Sequence, residues 1–434
     1  MDVHIEQRTD LTEPIAIYIT KHKKMTLSPN SFRIVSVPDD SLGYSGPNSA
    51  SPVDRRRLAA FTDLWIGKGL SHSIYRDDGP DGDVIYFVNA SSALKKVERF
   101  LSKGNRPAIV LGITEDVLTN RWAGAGVPLA DIQEIAQRHF CSRLSFREFA
   151  NVAANILGVR KPWLRRMISV IAKADTVICA SEAQAASLRH INPFSVAIAE
   201  AIPEAEFMGT NHCQLDGLAR QKAEEKSTYI LWEGTAWGLG LIETIRKELE
   251  HLHSIAPTPI RLIVTMPQTR PTPFLGMNDN AEILARHFGL NTAFVPWHTD
   301  TIGDLVRLCD IGIAPMPLLN PFYAAKAHNK PAVYMSLGLP VVASDILAYR
   351  NLITHGVDGM IARDSKDWIS CLLTLVADPN LRSVVGKSGK ATFERKCATP
   401  VVADQFLAAF EQALTVAASR RSMRHIKDAA GHVA

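Results

Sequence analysis

Short runs of β-branched and small apolar residues recur along this chain with a helical stretch between successive runs, and the whole alternation occurs twice. No other feature restricts the fold as tightly. A strand buried on both faces reads as an unbroken apolar run, and parallel neighbours need a crossover long enough to hold a helix. The pattern predicts an α/β protein built from two Rossmann-like, doubly wound domains.

In the first alternation the expected strands are PIAIYIT (14–20), SFRIVSV (31–37), DVIYFVN (83–89), PAIVLGI (107–113), DTVICAS (175–181) and SVAIAEA (195–201). A helix is expected over 54–67, where Leu58, Phe61, Leu64 and Trp65 fall at helical spacing; SALKKVERFLS should form another, and 128–172 should be mainly helical. The composition of PDDSLGYSGPNSASP predicts a long loop. Residues 208–227 are polar without a buried period and read as a linker. The second alternation has strands TYILWEG, IRLIVTM, TAFVPW, IGIAPMP and LPVVASD, with helices over 239–254, 279–288, 301–308, 330–336, 365–377 and 379–388. A last helix over 400–418 runs into the basic tail SRRSMRHIK. The expected units are therefore 1–207, a linker, 228–395, and a terminal segment 396–434 that crosses back to brace the first domain.

Composition excludes several classes. A net charge of +4 on 434 residues does not suggest wholesale nucleic-acid binding. The six cysteines, at 141, 179, 213, 309, 371 and 397, show no metal-type spacing and read as reduced, buried thiols. No apolar run approaches the roughly 20 residues that span a bilayer, and the polar N-terminus lacks a signal-peptide core. The expected location is the cytoplasm.

The segment AAKAHNKPAVYMSLGLPVVAS (324–344) carries the most chemistry. Lys326, Asn329 and Lys330 stand at the mouth of a predicted helix, and Gly338 and Pro340 turn it sharply into a buried strand. With RLCDIGIAPMP before it, ILAYRNLITHGVDGMI after it, TYILWEG upstream and AKADTVICASEAQAASL in the first half, this segment resembles the donor-binding core of the group 1 glycosyltransferases. The resemblance is good over 225–395, fair over 170–205 and thin before 170. It implies the GT-B fold, with an acceptor-binding first domain, a nucleotide-sugar-binding second domain and the ligand in the cleft between them. A diphosphate leaving group needs cations and helix-end N–H groups where negative charge grows. Lys326 and Lys330 supply both, with no metal or other cofactor required. Asn329 either caps the helix or bonds the phosphate or ribose.

Two departures accompany the resemblance. Many group 1 enzymes bracket this helix with glutamates, whereas Ala325 and Val333 stand at those positions; the turn EGTAWGLG also lacks the usual lysine. The chain resembles the K-x-x-N-K variants instead, and the anomeric outcome stays open.

Further candidates each have two readings. Trp297 either flanks a nucleobase or packs in the core, and His298 faces the cleft or the surface. Gly234 and Thr235 either let a phosphate or sugar approach or make a structural turn. Arg270 meets a phosphate or base, or is a solvated loop charge. Gly43, Tyr44, Ser45 and Gly46 lie in a loop that lines the cleft in GT-B enzymes. Glu115 and Asp116 follow the 107–113 strand, where Asp116 is either a catalytic base or a helix cap; a retaining reaction needs no such base. Asp81-Gly82-Asp83 spells D-x-D but sits in a Pro/Gly turn and reads as a solvated turn. Residues 155–175 mix Arg160, Lys161, Arg165 and Arg166 with Ile156, Leu157, Trp163, Leu164 and Met167. That mix suits peripheral membrane contact or an ordinary surface helix, and Arg420, Arg421, Arg424 and Lys427 would add to a membrane patch.

The expected function is transfer of a sugar from a nucleotide-sugar donor to a saccharide or lipid-linked acceptor, in surface polysaccharide or glycoconjugate synthesis. A non-catalytic binding subunit of the same fold and a sugar-nucleotide epimerase are the alternatives.

Overall fold

The computed structural model describes residues 32–38, 55–75, 82–114, 161–203, 215–234, 239–272, 276–279, 281, 284 and 291–431. Two six-stranded sheets organise them. The first contains β1 (Arg33–Val37), β2 (Ser71–Ile74), β3 (Val84–Phe87), β4 (Ala108–Ile113), β5 (Thr176–Cys179) and β6 (Ser195–Ala197), in the order β2-β1-β3-β4-β5-β6. All its pairings are parallel. The apolar runs are as long as they are because both faces are covered: Ile34, Tyr86 and Val110 enter one core, Val35, Ile85 and Phe87 the other. The helices α1 (Ala60–Gly67), α2 (Leu94–Leu101), α3 (Lys161–Lys173) and α4 (Glu182–Leu188) connect these strands. Ahead of α1, Arg55–Ala59 form a turn of π-helix, so the single helix expected over 54–67 begins differently.

The helix α5 (Asp216–Glu225) leads into the second sheet, which holds β7 (Thr228–Glu233), β8 (Ile260–Met266), β11 (Thr292–Pro296), β12 (Ile311–Ala314), β13 (Val341–Ser344) and β14 (Met360–Ala362). Its order is β11-β8-β7-β12-β13-β14, again all parallel. Chain order thus runs outward in one direction from β7, then returns to start in the other from β12. A small antiparallel ribbon, β9 (Thr269–Thr272) with β10 (Gly276–Asp279), follows β8. Asp279 ends this ribbon rather than opening the helix expected over 279–288; within that stretch Ala281 and Leu284 are helical, and the other residues lie outside the described ones.

The last helix, α7 (Thr399–Gly431), returns to the first sheet. Val402, Phe406, Phe410, Ala413 and Ala417 recur at helical spacing and are all buried in the core beside Phe61, Trp65 and Tyr86. The Phe406 and Phe61 ring centroids are 4.9 Å apart, and Trp65 Nε1 donates to the Ala403 carbonyl at 3.4 Å. At the far end Arg420 Nε reaches Asp175 at 3.1 Å. Asp175 is 2% exposed in its side chain and also accepts from Arg106 Nη1 at 2.6 Å and from the Ile109 backbone N–H at 2.9 Å. By length and composition the run Pro379–Met423 would suit a membrane span, but its apolar stripe over 402–417 is spent on this core.

Other departures have local causes. Half of the linker expected over 208–227 is α5, held by Lys222 Nζ on the Leu308 carbonyl (2.6 Å) and on Asp310 (2.8 Å). Strand β2 was not expected because SHSI is a short polar edge with no buried alternation. Asp83, the second carboxylate of D-x-D, accepts from the Arg33 backbone N–H at 2.8 Å, a structural role; Asp81 lies outside the described residues. In α3, read from the sequence as either a membrane-contact segment or an ordinary surface helix, the apolar side faces inward. Met167, Val170 and Ile171 are buried in the first domain, with Trp163 and Leu164 packed on the same core, and Arg166 is forked onto Glu98. The cysteines at 179, 309, 371 and 397 are buried and form no disulfide; 141 and 213 lie outside the described residues.

Candidate active site

In an open α/β sheet the ligand crevice lies beyond the carboxyl ends of the strands where the order reverses. In the second sheet that point falls between β7 and β12. Here β7 ends at Glu233, and the chain leaving β12 leads through a single helical turn, Pro321–Ala324, into α6 (Asn329–Ser336). Pro331 falls in the first turn of α6, where its missing N–H is no loss, and no side chain caps the helix start.

Two ammonium groups converge there. Lys330 Nζ lies 5.3 Å from the centre of the Trp232 ring, and Lys326 Nζ lies 4.2 Å from that of Phe322. Burial is the main influence on Lys330 and holds its pKa below the ordinary lysine value; the Glu233 carboxylate offsets part of this, while Lys326 and Arg56 add to it. The wall beneath is rigid. Tyr334, fully buried in α6, accepts the Glu233 backbone N–H at 2.9 Å, and its ring lies where a side chain on Gly312 would be, 2.5 Å from an added Cβ.

The first domain meets this segment directly. Ser181 caps α4 by accepting from Gln184 and donates to the Ala325 carbonyl at 2.6 Å. Glu200, just past β6, accepts from Asn329 Nδ2 at 2.7 Å through one oxygen and from Arg57 Nε at 3.3 Å through the other. The carboxyl ends of β5 and β6 thus face the start of α6. Asn329 does not cap its helix: the preceding residue, His328, is the cap position and makes no side-chain cap, while the Asn329 amide is spent on Glu200. Ala325 and Val333 are both buried, so the carboxylates at this helix come instead from Glu200 and Glu233.

His328 ties the site to stability. It lies 3.5 Å from Cys397 Sγ, and burial, aided by Lys396, lowers its pKa to about 4. An unfolded histidine titrates near 6.5, so on acidification the unfolded chain takes up this proton first. The contribution is complete above about pH 6.5 and is lost as pH falls toward 4. His72, also lowered to about 4 by burial, acts in the same window. Urea unfolding is expected to show about 3 kcal/mol less stability from His328 alone between these limits. His328→Gln should flatten that part of the pH profile; an unchanged profile would count against the assignment.

The structure brings Lys326, Asn329 and Lys330 together with residues that the sequence did not single out: Arg56, Arg57, Ser181, Glu200 and Glu233. Gly234 is required by a neighbour, since a Cβ there would sit 1.9 Å from the Trp232 ring. Trp297 is half-buried against the second-domain core, and His298 is exposed, its carbonyl starting the helix Thr299–Leu308. Arg270 lies on β9 opposite Asn278, in the ribbon. Thr235, Glu115, Asp116, Gly43, Tyr44, Ser45 and Gly46 lie outside the described residues. Among the described residues no cluster of His, Cys, Asp and Glu suited to a metal is present.

Two Rossmann-like domains with a cationic cleft at the switch point of the second define the GT-B class. Residues 263–378 match the family model described as glycosyl transferases group 1, and the match spans the Lys326–Lys330 segment. No curated protein matches the sequence. Among solved structures, the sucrose-phosphate synthase of Thermosynechococcus elongatus is similar at a TM-score of 0.60 and 12% identity, over 88% of this chain and 99% of that one. Anabaena HepE, solved with UDP-glucose, is similar at 0.55 and 14%, over 87% and 98%. A glycosyltransferase of Rickettsia africae is similar at 0.53 and 11%, over 89% and 99%.

Proposed function

We propose that the protein is a glycosyltransferase that moves a hexosyl group from a nucleotide-sugar donor to a saccharide or lipid-linked acceptor at the cytoplasmic face of a membrane, in surface polysaccharide or glycoconjugate synthesis. One observation carries the reading: Lys326 and Lys330 stand with the uncapped N-terminus of α6 at the switch point of the second sheet, directly against the first domain. Fixed ammonium groups and aligned N–H groups stabilise the charge that grows on a departing diphosphate, and they do so without a divalent ion. The acceptor would enter from the first-domain side, past Ser181 and Glu200. Peripheral membrane contact, if made through α3, would rest on its exposed basic residues, since its apolar face is occupied. That HepE was solved with UDP-glucose makes UDP the first nucleotide to try.

The test is calorimetric titration of the native protein with UDP, GDP and ADP, each with and without EDTA. One of the three should bind, equally in both buffers. Binding that vanishes in EDTA would remove the metal-free part of the reading. Failure of all three would favour the partner-subunit alternative, which the apolar Ala325 and Val333 motivate; donor turnover without an acceptor would favour the epimerase.

A further inference from the structure

Arg57 is a buried arginine whose two terminal nitrogens, Nη1 and Nη2, have no hydrogen-bond partner among the described residues. Its side chain is fully buried, and Nε donates to Glu200. A guanidinium keeps its charge at any ordinary pH, and a buried charge with open donors is costly unless something fills them. On the other side of the Glu200 carboxylate the pattern repeats: Asn329 Oδ1 is buried and has no partner. The surroundings are electropositive, because Arg56 and Lys326 both act on the Lys330 ammonium, while Glu233 and Glu200 are the carboxylates that face these groups. The backbone holds the arginines in place. They sit on the π-helical turn Arg55–Ala59, a conformation rarely kept without a use, and the Arg56 carbonyl accepts from the Ala201 N–H beside Glu200 at 3.1 Å. Meanwhile the sequence at and after the end of β7, Glu233-Gly234-Thr235-Ala236, brings no cation of its own.

We propose that Arg57 is an anion-binding residue of the cleft, taking a phosphoryl group on its two open Nη groups while Glu200 holds the guanidinium in place. The proposal rests on the transferase reading and adds to it a cation supplied by the first domain. Nη1 and Nη2 match two phosphoryl oxygens, which an ammonium cannot do. Because one carboxylate links Arg57 to Asn329, occupation of the site reports across the two domains. The phosphoryl group belongs either to the donor diphosphate or to a phosphate on the acceptor, and the two arms of the test separate these sources.

The variants are Arg57→Lys and the double replacement Arg57→Met with Glu200→Gln, which leaves no orphaned carboxylate. The first arm titrates UDP; the second titrates inorganic phosphate into protein saturated with UDP. The double variant is expected to lose about 10–100-fold in affinity in one of the two arms, as removal of a charge-assisted hydrogen-bond pair does. Its ligand-free melting temperature should hold or rise, since a buried ion pair with two unfilled donors has been replaced by neutral side chains of similar volume. Arg57→Lys should fall between the two proteins. Loss in the UDP arm assigns the site to the donor, and loss in the phosphate arm alone assigns it to the acceptor. Native-like affinity in both arms would overturn the proposal and leave the transferase reading standing. A large drop in the ligand-free melting temperature would also overturn it, by showing that Arg57 serves the fold. If the native protein takes up neither UDP nor phosphate, both readings fall together.

Discussion

Lys330→Ala is expected to lower kcat/KM for sugar transfer by about two to three orders of magnitude, the loss seen when one preorganised donor is removed from a developing anion. The group that is lost is an ammonium beside the Trp232 ring, already partly stripped of water and pressed by Lys326 and Arg56. Such a charge is worth most when a diphosphate arrives to offset it. Truncation should leave folding intact, because burial disfavours the charged form of this residue. Steady-state kinetics with UDP-sugar donors, alongside a melting curve, provide the check. A variant that keeps native kcat/KM would show that the donor does not lie against α6.

Asp175→Ala should have the largest effect on stability, about 3–5 kcal/mol in urea unfolding. The carboxylate sits at the start of β5 and is nearly inaccessible. It serves Arg106 from the chain before β4, the Ile109 N–H within β4 and Arg420 from α7. Removing it strands two guanidinium groups and a backbone donor in one place. Arg420→Met, which removes only the most exposed of those partners, should cost much less. Equal effects of the two replacements, or a loss below 1 kcal/mol for Asp175→Ala, would refute this account.

Much of the architecture was legible in the sequence because parallel strands covered on both faces have little choice of residue. IRLIVTM and VVAS read as buried strands and are buried strands. What was not legible has no such period. SHSI is a half-exposed edge, the β9–β10 ribbon is written in Thr, Pro, Gly and Asn, and α5 carries few apolar residues, holding to the second domain through Leu218 and the Lys222 ammonium. The cationic pair in K-A-H-N-K could be named because both lysines lie within one turn of a helix start. The partners from the other domain could not. Arg57 and Glu200 are 143 residues apart and Glu200 and Asn329 a further 129, and no local pattern marks residues that meet only after two sheets have folded. The π-helical turn that carries Arg57 looks in sequence like any amphipathic helix start.

The return of α7 has a consequence for how the protein is made. Phe406, Phe410 and Ala417 complete a core whose strands end at Ala197, so the first domain leaves the ribosome with one wall missing. The second domain has all its strands by Ala362 and does not wait in this way. Translation at about 5–20 residues per second leaves the incomplete half exposed for some tens of seconds before its last helix emerges. During that interval Trp65 and Tyr86 present an uncovered apolar surface, and a nascent-chain chaperone that binds aromatic segments would find its target in the first half of the polypeptide rather than the second.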